Sequence, residues 1–345
     1  MVKGDYTVYL TVIDSYVYDF DQNVVDIIYG LQNYDRVILD MKKETPDFTC
    51  LGITDTIEKI IETYNVEFGR IVLLTTNRIE PYDKIKVEYI DKLSSKYNFF
   101  YDIINDEVEI CQAVHNKHIT KHFGCFIGRS NYARLALASH LHTNHNQKST
   151  VTFHLDPCTD FHKSHIGVEK LLHLYGTNNK LISDVFNFIT KVPITLDEPD
   201  LEYPIGNGAN ISEKIVQEYK NIFLDVVCET FTTGETFSQP TDKLKRCIFT
   251  KTPFLLFGPK NYLSNFKKIG FKTFDQWWNE DYDFDGDQHR ITSMIKLIDD
   301  ISSKTNEELT QMYSEMTEVL DHNYNLYLSR INDAAIKLRM KGTNE

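Results

Sequence analysis

Residues 224–258, LDVVCETFTTGETFSQPTDKLKRCIFTKTPFLLFG, constrain the fold more than any other stretch of this chain. The run LDVVCETF reads as a buried strand ending at Glu229. Thr241, Asp242 and Lys243 then open a short helix, TDKLKRCIF, and PFLLFG supplies the next strand. A helix start between two apolar strands carries free N–H groups and the positive end of the helix dipole, so phosphate oxygens are favoured there. Lys243 would add a point charge, and Asp242 would be left for sugar hydroxyls. The plainer alternative is a capped helix with a solvated lysine.

About a hundred residues upstream, FGCFIGRSNYARLALASHL gives a strand from Phe123 to Ile127, a turn through Gly128, Arg129, Ser130 and Asn131, and a helix with Arg134 in its first turns. Together the two segments resemble the donor-binding domain of the alpha-1,3-fucosyltransferase group of GT-B glycosyltransferases. The matching residues are Ser130-Asn131-Tyr132-Ala133-Arg134, then Glu229-Thr230-Phe231, then Thr241-Asp242-Lys243. The chain also looks like a set of viral and bacterial glycosyltransferase-like proteins with T-E-K, P-F-hydrophobic-G and G-F-K-T-F…W-W segments, matched at Pro253 to Gly258 and Gly270 to Trp278.

The resemblance implies that Arg134 and Lys243 neutralise a nucleotide diphosphate and that Asp242 holds the ribose. It makes Gly128, Arg129, Ser130, Asn131, Arg134, Glu229, Thr241, Asp242 and Lys243 the donor-binding set. Asp242 stands where the family carries Glu, one methylene longer, and the spacing before Ala133-Arg134 is compressed, so fucose is not assigned as the sugar.

With 345 residues and 41% hydrophobic composition, the chain is long enough to bury two cores. The expected class is α/β: two facing Rossmann-like domains, as in GT-B enzymes, with a long C-terminal helix. Residues 1–117 read as a Rossmann-like acceptor domain. Its candidate strands run from Thr7 to Ile13, Arg36 to Leu39, Arg70 to Leu74 and Phe99 to Ile104. A helix between the second and third is read as capped by Asp55, with Glu58 three residues on and Ile57, Ile60, Ile61 and Tyr64 on its buried face.

Residues 118–303 repeat the alternation. The strand around Cys125 and the Arg134 helix are followed by a strand at Val151 to Leu155, a helix around Val168 to Leu174, the Glu229 strand and the Lys243 helix. Residues 304–345 read as one final helix, entered through a Thr305/Glu308 capping box and preceded by the Ile291, Met294, Ile295, Ile298 stripe. At about 30 residues it would be roughly 45 Å long and could cross back to the first domain.

The formal net charge of −13 disfavours a nucleic-acid partner. Six cysteines without a C-x-x-C pair, and a start, MVKGDYTVYLTVID, without a cleavage signal, point to a reduced, cytoplasmic protein with no membrane span, unlike the Golgi-anchored fucosyltransferases.

Ten of twelve histidines lie between His115 and His173. His118 and His122 have the i, i+4 spacing of a helical metal pair, but the segment is not H-E-x-x-H, and no metal is expected. His154 and His162 are acceptor-side candidates. Asp281 to Asp287 copies half of an EF-hand loop, yet its twelfth position is Thr292, so a solvated acidic loop is the better reading. Trp277 and Trp278 could stack on a sugar, but read first as packing residues. An inverting enzyme needs a base at a strand's carboxyl end. Asp14 is the best placed candidate, with Asp19, Asp40 and Glu44 behind it.

The reading that results is a metal-independent glycosyltransferase, with no cofactor beyond its nucleotide-diphosphate sugar and with a glycan or other small acceptor. Two alternatives stay open. One is a viral-type transferase acting on a hydroxylated DNA base, for which Lys84, Lys86, Lys92 and Lys96 form an early basic cluster. The other is a non-catalytic sugar-nucleotide or metal-binding protein.

Overall fold

The computed structural model describes residues 4–10, 12–13, 16–17, 20–41, 53–75, 83–89, 111–128, 130–154, 164–196, 213–229, 232, 234–235, 240–284 and 286–342. Within them the chain is α/β, with two separate four-stranded sheets, each wholly parallel, and eleven α-helices.

The first sheet is built from β1 (Asp5–Tyr9), β4 (Arg36–Asp40), β5 (Ile71–Thr75) and β6 (Lys86–Tyr89), side by side in that order. A two-stranded hairpin, β2 (Val12–Ile13) with β3 (Tyr16–Val17), follows β1. Helix α1 (Phe20–Asn33) connects β1 to β4, and α2 (Thr54–Tyr64) connects β4 to β5. Gly30 lets α1 close on the sheet, since a Cβ there would lie 2.7 Å from the Tyr6 ring and 2.8 Å from Val37. Alternate strand residues Val37, Leu39, Ile71 and Leu73 join Ile27, Ile57 and Ile60 in one core.

Three expectations for this region change. The N-cap of α2 is Ile53, with no side-chain cap, so Asp55 lies in the first turn, where it favours the helix dipole without capping it. Tyr64 is exposed, because it falls at the last position of the helix, beyond the reach of the sheet. Strand β6 was not anticipated: its alternating Lys-Val-Glu-Tyr carries too little apolar signal, and Lys86 is paired with Glu88 at 2.6 Å. The strand expected from Phe99 to Ile104 lies outside the described residues.

The second sheet comprises β7 (Lys121–Ile127), β8 (Ser149–Phe153), β9 (Ile222–Cys228) and β10 (Phe254–Phe257), in the spatial order β10-β9-β7-β8. Every residue of β8, β9 and β10 is buried, so the sheet is covered on both faces there. The chain runs from β7 outward to β8 through α3 (Tyr132–Asn144). It returns through α4 (Ser164–Tyr175), α5 (Lys180–Ile189) and α6 (Glu213–Glu218) to β9 on the other side of β7. From there α7 (Asp242–Phe249) leads to β10, followed by α8 (Tyr262–Lys268) and α9 (Asp287–Ser302). The winding direction therefore reverses between β7 and β9, whereas the described strands of the first sheet show no such reversal.

The capping box at Thr305 is present: the Thr305 N–H donates to Glu308 at 2.7 Å, and the Glu308 N–H donates to the Thr305 hydroxyl at 3.2 Å. It opens α10 (Asn306–Glu315), and α11 (Thr317–Gly342) follows, so the single final helix is two. The break falls at Met316, whose N–H is shared between the Met312 and Tyr313 carbonyls. Val319, Leu320, Tyr324, Tyr327 and Ile331 of α11 are buried in the second core, which begins at Cys111. The side chains beyond residue 332 are not described. Thr305→Ala should lower stability by about 1 kcal/mol, read as a lower urea midpoint with unchanged slope.

Candidate functional site

In an open parallel sheet, a crevice forms beyond the carboxyl ends of the strands where the winding reverses. Here that point lies between β7 and β9, and it brings together the two segments singled out in the sequence. Asn131 caps α3: its side-chain oxygen accepts from the Arg134 N–H at 2.9 Å, while its Nδ2 donates to the Glu229 carbonyl at 3.3 Å. Thr241 caps α7 with its hydroxyl oxygen, accepting from the Lys243 N–H at 3.3 Å. The same hydroxyl faces both carboxylate oxygens of Glu229, at 2.9 and 2.8 Å. Glu229 thus stands between the starts of two helices, whose positive dipole ends favour its charge.

Arg134 is 2% exposed, and its Nε and Nη2 donate to the Cys228 carbonyl at 3.2 and 3.0 Å. A carbonyl at the end of a strand would otherwise lack a ladder partner, so the guanidinium closes β9 from within the site. Lys243 is half-buried on the first turn of α7. Ser130 is buried, and among the described residues its hydroxyl has no hydrogen-bond partner. Gly128 is half-buried beside it at the end of β7. His154 follows β8 on the same edge of the sheet, with its N–H donating to the Ile127 carbonyl at 3.3 Å.

A second set of polar residues lies against the first turn of α3 and was not anticipated. The Lys170 amine of α4 sits 3.6 Å from the centre of the Tyr132 ring and pairs with Asp287 at 2.7 Å. Arg290 is fully buried, stacked 4.3 Å from the Phe257 ring, and donates to the carbonyls of Tyr282 and Gly258 at 2.8 and 2.7 Å. Its Nη1 faces Asp287 at 3.9 Å. Burial pushes the Tyr132 phenol up, so it stays protonated. These residues come from α3, α4 and α9, and no local spacing links them. Gly167 allows the close approach of α4, because a Cβ there would lie 3.1 Å from the Tyr132 nitrogen and 3.2 Å from the Asn131 carbonyl carbon.

Asp14, Asp19, Glu44, Arg129 and His162 lie outside the described residues, as does the side chain of Asp242. Asp40 is buried at the end of β4. His118 and His122 do not share a helix: His118 precedes β7 in a segment without regular secondary structure, and His122, on β7, contacts the Lys304 carbonyl through Nε2 at 2.9 Å. In the acidic loop Asp283 is buried and accepts from the Leu263 and Ser264 N–H groups at 3.0 and 3.3 Å, which anchors the start of α8. Asp287 pairs instead with Lys170 at 2.7 Å, and the burial of Asp283 corrects the expectation of a solvated loop; Asp285 lies outside the described residues. Trp278 is buried against Phe274 at 5.4 Å between ring centres, a packing role.

Cys111, Cys125, Cys228 and Cys247 are buried free thiols, and burial pushes that of Cys228 up to about 12. All four lack the exposure that a cysteine nucleophile needs. Among the described residues no helix is long and apolar enough to cross a membrane. No protein-family model, curated protein or solved structure matches the chain.

Proposed function

We propose that this chain is a GT-B-like glycosyltransferase that binds a nucleotide-diphosphate sugar at the reversal between β7 and β9 and passes the sugar to an acceptor hydroxyl. The observation that carries this reading is the junction of Asn131, Arg134, Glu229 and Thr241. Two segments about a hundred residues apart meet there, at the carboxyl edge of a parallel sheet, with two helix N-termini facing the same space. Helix N–H groups and Lys243 stabilise the charge that grows on the departing diphosphate. Arg134 acts from beneath, holding the end of β9 and adding positive potential. His154 lies on the same edge, which supports an acceptor-side role for it. Asp14 remains the proposed base if the reaction inverts.

A thermal-shift panel of UDP, GDP, CDP and dTDP sugars on the whole chain tests the reading. One base should raise the melting temperature by about 5 °C or more at a hundred times its dissociation constant, since selective binding then adds about 2.7 kcal/mol. The stabilising donor should also be hydrolysed slowly without acceptor, in the presence of a chelator. Absence of any shift across the panel overturns the proposal.

A further inference from the structure

Two imidazoles converge on one carboxylate oxygen at the end of α3 opposite the crevice. The Nε2 atoms of His140 and His145 each lie 2.7 Å from the Asp299 Oδ1. The three ligand atoms all fall within 4.8 Å of one another. The histidine side chains are 8% and 13% exposed, and that of Asp299 is 49% exposed. We propose that His140, His145 and Asp299 bind a divalent transition-metal ion of the zinc class, which ties the C-terminal end of α3 to α9.

The donor set decides the class of ion. Two imidazoles with one carboxylate suit zinc and its neighbours, whereas calcium and magnesium take oxygen ligands almost exclusively. Tetrahedral zinc with bonds of about 2.0–2.1 Å separates its ligand atoms by about 3.3 Å, so each N···O distance opens by about 0.6 Å and the two imidazole nitrogens, which lie within 4.8 Å of each other, adjust to the same spacing. The exposed side of Asp299 leaves the fourth position to water. In the metal-free chain the carboxylate oxygen accepts N–H bonds from both rings, and the ion takes the place of those two protons.

The surroundings set the strength of the site. The other nitrogen of His140 faces Asn144 Nδ2 at 3.2 Å, and that amide is held by Lys180 at 2.6 Å and Asp184 at 3.0 Å. When Nε2 takes the ion, the His140 proton moves to Nδ1, and Asn144 must turn its oxygen toward it. The Lys180 side chain, 71% exposed, can then remain on Asp184 alone. That rearrangement makes binding weaker than at a preformed four-ligand structural zinc site. His140 lies nine residues beyond Asn131, about 13 Å along the helix at 1.5 Å per residue, so the ion braces the fold without entering the crevice.

The test is a cobalt(II) titration of the chelator-treated whole chain, followed by visible d–d absorption. One equivalent should be taken up, and zinc should compete it away and raise the melting temperature. Asp299→Asn keeps an oxygen to accept from both rings, so the metal-free protein should melt as before while cobalt binds at least tenfold more weakly. His145→Ala should abolish the absorption. No absorption in the wild-type chain, or equal uptake in Asp299→Asn and His145→Ala, overturns the assignment.

Discussion

Lys243→Ala should lower turnover about a hundredfold, equivalent to about 2.7 kcal/mol of transition-state stabilisation, with little change in the melting of the unliganded chain. The lysine is half-buried on the first turn of α7, one residue into a helix whose N-terminus is already capped by Thr241. Its removal therefore leaves the cap and the strand ends in place. A cation beside a diphosphate acts most where charge is growing, so kcat and kcat/KM should fall together. The measurement uses the donor selected by thermal shift, with both constants determined for each variant. Wild-type turnover in Lys243→Ala would remove the diphosphate assignment and with it the main support for glycosyl transfer.

Arg134→Ala should behave differently, although the sequence gives the two cations the same task. Arg134 is 2% exposed and donates twice to the Cys228 carbonyl. Deleting it uncovers that carbonyl and leaves the buried Glu229 carboxylate with less positive charge around it. Leaving that buried carbonyl without its donors costs about 1–3 kcal/mol. The expected result is a large drop in the urea midpoint, smaller for Arg134→Lys, which keeps the charge but loses the fork. Unchanged stability accompanied by lost turnover would mean that the guanidinium serves the ligand and not the strand.

The parts of this molecule that were legible in its sequence are those fixed by short-range chemistry. The β9-α7-β10 unit follows from two apolar runs flanking a Thr-Asp-Lys helix start, and the Thr305/Glu308 box follows from a four-residue pattern. Thr241 follows from the same helix-start chemistry, whereas Asn131 enters through the resemblance carried by Ser130 to Arg134. What escaped depends on which elements become neighbours. The Lys170, Asp287 and Arg290 ion group exists because α4 and α9 both pack beside the start of α3. His140 and His145 lie close in sequence, but Asp299 completes their cluster from more than a hundred and fifty residues away. The His118/His122 pair shows the opposite failure: its spacing suits a helix, yet the hydrogen bonds of β7 take the segment into a sheet.

The double role of Asn131 has a kinetic consequence. One side chain fixes the first turn of α3 through the Arg134 N–H and, through its other end, the Glu229 carbonyl beyond β9. Glu229 is joined in turn to the Thr241 cap of α7. These walls of the crevice form one braced frame before any molecule arrives. An incoming ligand has little ordering to do there, and more of its contact energy is retained as affinity. If the proposed donor site is correct, discrimination between donors falls to shape and charge already in place, and related donors should differ most in dissociation, not in the rate of encounter.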